Sequence, residues 1–212
     1  MASSRQLPAQ TGRHPVSARG ARTRGALVHA ARDVFERDGF PEARITDITA
    51  AAGVAAGSFY TYFTSKEDVF AAVMAEVEEE MLHPRLEPIH DRDDPVAVIE
   101  AANRAYLAAY RRNAKLMGLM EQVAGIDPDF REQRLRRAQA FMQRNAAAIR
   151  RLQADGHADP ELDPSLAAEA LSAMVSRMAY FHYVLNLGTA SQPALVQTLT
   201  RLWTGALGIR RR

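Results

Sequence analysis

The sequence predicts an all-α protein, with a three-helix unit carrying a helix-turn-helix near the amino terminus and a larger helical unit after it. Three observations predict this. The 212 residues contain no valine- or isoleucine-rich alternating run and no Asn-Gly hairpin signal, which removes the usual marks of strands. Alanine, leucine, glutamate and arginine recur instead at helical spacing. Between Ala43 and Phe70, two short helical patterns meet at Gly53 and lead directly into a third. With 47% apolar residues the chain can bury a large core, in one domain or in a small domain joined to a bigger one.

Met1–Arg24 contains Arg5, Arg13, Arg19, Arg22 and Arg24, no acidic residue, and prolines, serines and glycines that oppose a packed element. Residues 1–21 are expected to form a disordered basic arm, which either follows a nucleic-acid backbone or serves as a solubilising tail. From Arg22 to Asp38, Leu27, Ala30, Ala31, Val34 and Phe35 follow i, i+3, i+4 spacing, and Gly39 ends the pattern. This is the supporting helix of a domain placed at residues 22–68.

The helix-turn-helix follows. Thr46 is expected to cap a short helix over about Asp47–Ala52, with Ile45, Ile48 and Ala52 on its inner face. Gly53 can enter the left-handed conformation without a Cβ penalty, and Val54 plugs the angle between the helices. The second helix is expected over about Ala56–Phe63, with Phe59 and Phe63 inward and Ala56, Gly57, Ser58, Tyr60, Thr61 and Tyr62 turned elsewhere. Small residues followed by hydroxyls suit a helix end pressed into a major groove. Gly57 costs a helix about 1 kcal/mol relative to alanine, and either close approach to DNA or a weak helix start accounts for it. Ser65 caps a third helix, and Lys66 in its first turn runs against the helix dipole unless a phosphate lies opposite.

The run Thr46-Asp47-Ile48, Gly53-Val54, Gly57-Ser58-Phe59-Tyr60-Thr61-Tyr62-Phe63 and Ser65-Lys66-Glu67-Asp68 resembles the signature of the tetracycline-repressor (TetR) family. With the preceding helix the resemblance covers about Arg22–Phe70, roughly a third of the chain. One departure is Ala55, where family members often carry a serine or threonine that caps the recognition helix. The resemblance implies a homodimeric transcriptional regulator, a repressor released from palindromic operator DNA by a small apolar or amphipathic ligand. It assigns Arg44, Thr46, Ala56, Gly57, Ser58, Tyr60, Thr61, Tyr62 and Lys66 to DNA, with Thr46, Tyr60, Tyr62 and Lys66 on phosphate. An activator or non-specific binder on the same scaffold, and a small-molecule-binding helical enzyme, are the rival readings.

Residues 69–212 are expected to form the ligand-binding and dimerisation domain. The third helix continues from Lys66 to about Leu82, before Pro84 and Pro88, and is the natural lever to the rest of the chain. Helices are then read over Pro95–Arg112, Ala114–Val123 and from Asp127-Pro128 to about Asp155, where Gly156 stops the last. Leu135, Ala138, Phe141, Met142, Ile149 and Leu152 are expected to face inward on this long helix. Its arginines, Arg131, Arg134, Arg136, Arg137, Arg144, Arg150 and Arg151, form either a solvated face or a site for an anionic ligand.

Pro164–Leu187 is apolar nearly all round, and Pro193–Leu207 carries a second apolar stripe. Their surplus apolar surface suggests a partner chain, and the resemblance implies a four-helix dimer interface through Leu171, Val175, Leu195, Leu199, Leu202 and Trp203. The competing explanation is a thick monomeric core. Tyr106, Tyr110, Met117, Met120, Phe141, Met142, Met174, Met178 and His182 fit either a core or an adaptable apolar cavity, and the resemblance favours a ligand site.

The formal charge of +2 does not by itself diagnose a nucleic-acid binder. No cysteine is present, which excludes disulfides and thiolate metal sites. The histidines lack metal-ligand spacing, and no nucleophile elbow, Walker loop or dinucleotide fingerprint occurs, so no catalytic residue, metal or cofactor is expected. No apolar run reaches the ~18 residues that span a bilayer, and the first twenty residues lack a secretory apolar stretch, so a cytoplasmic protein without membrane contact is expected.

Overall fold

The computed structural model describes residues 18–85, 91 and 93–209. Its elements are α1 (Ala18–Glu42), α2 (Ile45–Ala51), α3 (Ala56–Phe59), α4 (Lys66–Leu82), α5 (Pro95–Arg112), α6 (Ala114–Ile126), α7 (Pro128–Ala154), α8 (Pro164–Tyr183) and α9 (Gln192–Ala206), and no strand occurs among the described residues. The expected arm lies outside the described residues except for its last four positions. Those four, 18–21, are already the first turn of α1, a correction to the boundary at 21.

Local chemistry explains most helix limits. Asp94, Asp127 and Asp163 each accept backbone N–H groups of the following turn, and each is followed by a proline whose missing N–H would have had no helical partner there. Ser65 and Ser191 cap α4 and α9 in the same manner. Gly39 breaks α1 at φ 80 and ψ 170, and the chain then makes one short turn through Pro41 before α2. Gly156 takes φ 71 just past α7. These left-handed positions end their helices because no Cβ is present to clash.

α1 packs on the first half of α4 through a cluster of aromatic rings, with α2 against α1 and α3 against α2. Phe70 meets Phe35 at 5.0 Å and Phe40 at 4.9 Å between centroids, and meets Phe130 of α7 at 5.3 Å. The core runs on without a break through α4, α5, α6, α8 and α9. A second, smaller cluster around Ile149, Ala168, Leu171 and Leu207 closes the far end. There the Asp159 N–H donates to the Leu207 carbonyl at 2.9 Å, and the Gln153 amide donates to the carbonyls of Asp159 and Leu162. α7 packs on α8 and α6, while α9 lies chiefly along α5.

Two expectations about packing need correction. On α7, Leu135 is 50% exposed and Ala138 is exposed, because the helix is covered on one side only and its buried residues are Phe130, Ala146 and Ile149. On α8 and α9, Leu171, Val175, Leu195 and Leu199 are buried within the chain itself, and Trp203 is half-buried. Four residues expected at a partner interface are therefore core. Leu202, at 49% exposure, is the member of that set left outside, and it shares the exposed surface with Leu166, Phe181, Leu185 and Leu187.

Candidate functional site

The reading element is built by packing more than by helix propensity. Gly53 takes φ 66, and Val54 N–H donates to the Thr49 carbonyl at 3.0 Å, which closes the turn between α2 and α3. α3 is one turn long, shorter than the expected Ala56–Phe63. Tyr60 to Tyr62 form turns, with the N–H groups of Tyr62 and Phe63 still donating to the Phe59 carbonyl. Ala55 occupies the cap position with no side-chain bond, as its departure from the family pattern implies, and a helix of Ala-Gly-Ser-Phe has little intrinsic stability. Phe59 and Phe63 hold it, fully buried, with the Arg24 guanidinium 5.0 Å from the centre of the Phe63 ring.

That anchoring turns a specific set outward. Ala56, Gly57, Thr61 and Tyr60 are exposed, Tyr60 at 65%, and Ser58 is half-buried. A Cβ on Gly57 would meet nothing within 4 Å, so packing inside the chain does not require glycine there. Arg44 and Thr46 are exposed beside this surface, but their roles at the helix end are exchanged. Arg44 holds the cap position of α2 in extended conformation, and Thr46 lies in the first turn with its carbonyl accepting from the Thr49 hydroxyl at 3.0 Å. Thr46 is not the cap because the helix begins one residue before it. Tyr62 differs from the expectation as well, being half-buried and packed on the core cluster.

Lys66 is the largest difference in this region. Its Nζ donates to the Phe40 carbonyl at 2.7 Å and the Pro41 carbonyl at 3.0 Å, and it sits 4.8 Å from the centre of the Phe40 ring. The unfavourable dipole of a lysine at a helix start is offset by these carbonyls. Two of its three N–H groups are committed within the chain, clamping the end of α1 to the start of α4. Beside it the Ser65 hydroxyl accepts from the Asp68 N–H, while the Asp68 carboxylate accepts from the Thr64 N–H at 2.8 Å.

A buried polar junction links this head to the later helices. Asn113, 0% exposed between α5 and α6, accepts from Arg32 of α1 at 2.7 Å and donates to Glu80 of α4 and to the Ala109 carbonyl, both at 2.9 Å. Arg112 also donates to Glu80, at 2.9 Å from its Nε, and Lys115 donates to the Glu36 carbonyl at 3.2 Å. Burial pushes the Glu80 carboxyl up, but the Asn113 and Arg112 hydrogen bonds and the charges of Arg112 and Arg32 together hold it below its ordinary value. Sequence reading missed this junction, since nothing in an Asn between two helical patterns announces its partners.

Two cavities lie between α5, α7 and α8. The smaller, about 340 Å³, is lined by Tyr106, Tyr110, Met117, Phe141 and Met142 of the expected set, with Arg134, Arg137, Glu121 and Arg177 added. The larger, about 770 Å³, reaches Val98, Ile99, Asn103, Asn145, Ile149, Leu152 and Trp203. Tyr106, Phe141 and Ser172 line both. Four expected ligand residues are elsewhere. Met120 is buried core, Met174 and Met178 are half-buried against it, and His182 approaches the Ala190 carbonyl at 3.0 Å with Gly188 directly beneath its ring. His182 thus secures the connection to α9, where any Cβ at position 188 would collide with the imidazole.

Among the described residues no group of three or more acidic or histidine side chains could hold a metal ion, and no helix is long and apolar enough to cross a membrane.

Residues 27–73 match the model for bacterial regulatory proteins, tetR family. The HTH-type transcriptional regulator UidR of Escherichia coli is 27% identical over 130 residues, which are 55% of this chain and 66% of that protein. The HTH-type transcriptional regulator RutR of the same organism is 32% identical over 102 residues, 47% of this chain and 48% of its own. The chain therefore spans less than two thirds of these curated relatives. In three dimensions it superimposes on the fatty acid degradation regulator FadR from Bacillus halodurans with a TM-score of 0.69 at 20% identity, over 89% of this chain and 97% of that one, which is a likeness of fold.

Proposed function

The chain belongs to the tetR family of bacterial regulatory proteins, and from that premise we propose that it is a homodimeric repressor of transcription, released from a palindromic operator by a small amphipathic molecule. Residues 22–68 act as the reading head and 69–212 as the sensing and dimerising part, with α4 continuous across that division. The observation that carries this reading is the outward surface of α3 and the turn after it, where Ala56, Gly57, Tyr60 and Thr61 are exposed while Phe59 and Phe63 fix their direction. Small groups at the helix start enter the major groove, and Tyr60 with Arg44 and Thr46 meets the flanking phosphates. Lys66 retains one N–H for a phosphate, and its larger role is the clamp to α1. The half-buried Tyr62 contributes by holding the turn.

Dimerisation would use the outer faces of α8 and α9. Leu166, Ala170, Ala173 and Phe181 recur along one side of α8, and Ala194, Thr198, Leu202 and Gly205 along one side of α9, all exposed in the single chain. Small residues among larger apolar ones allow close helix approach across a two-fold axis. Release would pass from the cavities through α6 and Asn113 to α1 and α4.

The experiment is a footprint on the DNA upstream of the chain's own gene, with purified protein of measured sedimentation. A dimer protecting an inverted repeat, and preferring it at least a thousandfold over unrelated duplex, is the expected outcome. Equal affinity for any duplex at moderate salt overturns the operator reading, and a monomer at micromolar concentration overturns the dimer.

A further inference from the structure

The two cavities differ in chemistry and share one wall, and on the reading that they receive the effector, we infer that the ligand is a chain-bearing carboxylate. Its charged head would sit at Arg137 and its apolar chain would cross between Tyr106 and Phe141 into the larger cavity.

Arg137 is the distinctive group. It lines the smaller cavity, is half-buried, and has no carboxylate within 4.0 Å among the described residues. Its hydrogen-bonding contact is the Met117 sulfur at 3.6 Å, a weak acceptor. Arg134, three residues away on α7, is by contrast neutralised by Glu121 at 2.8 Å. A half-buried guanidinium without an anion beside it is a receptor left open, and a carboxylate matches its two parallel N–H groups. Tyr106 and Tyr110 flank it. Burial pushes the Tyr106 phenol up to about 12 and the Tyr110 phenol higher, the nearby Arg137 charge opposing both shifts, so each remains a neutral O–H donor at physiological pH. Glu169 and Arg177 also line this cavity, both exposed, Arg177 lying over the Tyr180 and Phe181 rings, so the half-buried Arg137 with its two neutral donors is the better receptor for one carboxylate.

The chain's destination follows from the shared wall. The rings of Tyr106 and Phe141 are in contact, with centroids 5.2 Å apart, and both face the smaller and the larger cavity, so the chain would enter by displacing the Phe141 ring. Beyond them the surface is Val98, Ile99, Ala148, Leu152 and Trp203, with a volume near that of sites for drug-sized molecules, roughly 300–1,000 Å³. Phe141 is half-buried at the margin of the core, packed on Tyr106, so its ring can yield to a chain without emptying a fully buried position. Arg144, exposed at the edge of the larger cavity, and Arg177, exposed in the smaller, also have no acid within 4.0 Å among the described residues and are the competing receptors.

The test uses the full chain and its one tryptophan, Trp203, as the reporter in the larger cavity. Fluorescence is followed while dodecanoate, dodecan-1-ol or dodecyltrimethylammonium is added below its micellar concentration. Dodecanoate should bind at least tenfold more tightly than the alcohol, and the ammonium compound more weakly than either. Arg137→Gln should bring dodecanoate down to the level of the alcohol and leave the alcohol unchanged. Arg137→Lys should keep part of the preference, and Arg144→Gln and Arg177→Gln should each keep all of it. Absence of dodecanoate binding, equal binding of acid and alcohol, or a preference that survives in folded Arg137→Gln or disappears in Arg144→Gln or Arg177→Gln overturns the inference. If Arg137→Gln does not fold, an undiminished preference in Arg137→Lys together with its loss in Arg144→Gln does the same. Operator retardation measured in parallel separates the two readings. Saturating dodecanoate that satisfies these preferences without releasing operator supports the ligand assignment and counts against the effector role alone.

Discussion

The reading head and the sensing part are made of similar residues but are packed in opposite ways. Around Phe35, Phe59, Phe63 and Phe70 the side chains are buried to 2% or less, and the rings contact one another directly. Tyr106 and Phe141 also touch, at 5.2 Å between centroids, yet this pair borders two cavities instead of closing a core. The buried polar atoms without a hydrogen-bond partner among the described residues, Tyr183 Oη and Trp203 Nε1, also belong to the sensing part. The contrast fits the proposed division, in which the head presents a fixed surface and is close-packed while the part that would answer to a ligand keeps space and unsatisfied groups.

The contrast is broken most severely at Phe70, which joins α1, α4 and α7. Phe70→Ala should cost about 3–5 kcal/mol, a large share of a stability of about 5–15 kcal/mol, and chemical denaturation should show both parts losing structure together. Separate transitions would mean that the head folds independently of the ring on α7. Next in size is Asn113→Leu, which leaves Arg32 and Glu80 without their buried partner and should cost about 1–3 kcal/mol. If the junction carries the ligand signal, the same variant should weaken the reciprocal effect of ligand on DNA and of DNA on ligand. Unchanged coupling in a destabilised variant would assign Asn113 to stability only.

Titration sharpens the comparison at both ends of the pH scale. Glu80 is held below its ordinary value, so its contribution is full above about pH 4.5 and is lost as pH falls through its folded value. Tyr106 is raised, so its contribution is full below about pH 10 and is lost as pH rises toward 12. Acid should therefore loosen the junction and alkali the cavity wall, readable as a stability profile that Glu80→Gln flattens on the acid side and Tyr106→Phe on the alkaline side.

Smaller effects test the cavities and the outward face. Met142→Trp should leave ligand-free operator binding intact and lower ligand affinity, since Met142 lines the smaller cavity. Tyr60→Phe should change stability by less than about 0.5 kcal/mol and weaken operator binding by several-fold. A Tyr60→Phe protein that binds operator normally removes that hydroxyl from the contact surface.

The bounds of α4 and α5 were legible because Ser65, Pro95 and the apolar spacing act within a few residues of chain. Gly53 and the inward pair Phe59 and Phe63 were legible for the same reason. What spacing conceals is which apolar face meets which. Leu171, Val175, Leu195 and Leu199 looked surplus because the depth of cover that α5 and α7 provide is a tertiary property. Met120, Met174 and Met178 looked like pocket residues on composition, yet a methionine in a wall and one in a core carry the same local pattern. Arg137 was visible as one arginine among seven on a helix, and only the position of Glu121 beside Arg134 distinguishes the paired one from the unpaired one.

The short α3 has a consequence for how this protein can change over generations. Its fold depends on two inward rings and a turn at Gly53, and its outward residues, at positions 56, 57, 60 and 61, carry almost no packing. Substitutions there should each alter stability by only about 0.5 kcal/mol, so operator preference can drift while the fold stays above its threshold. If these residues contact DNA as proposed, specificity and foldability are stored in different residues of α3 and the turn after it, and the mutational path from one operator to another need not cross an unfolded intermediate.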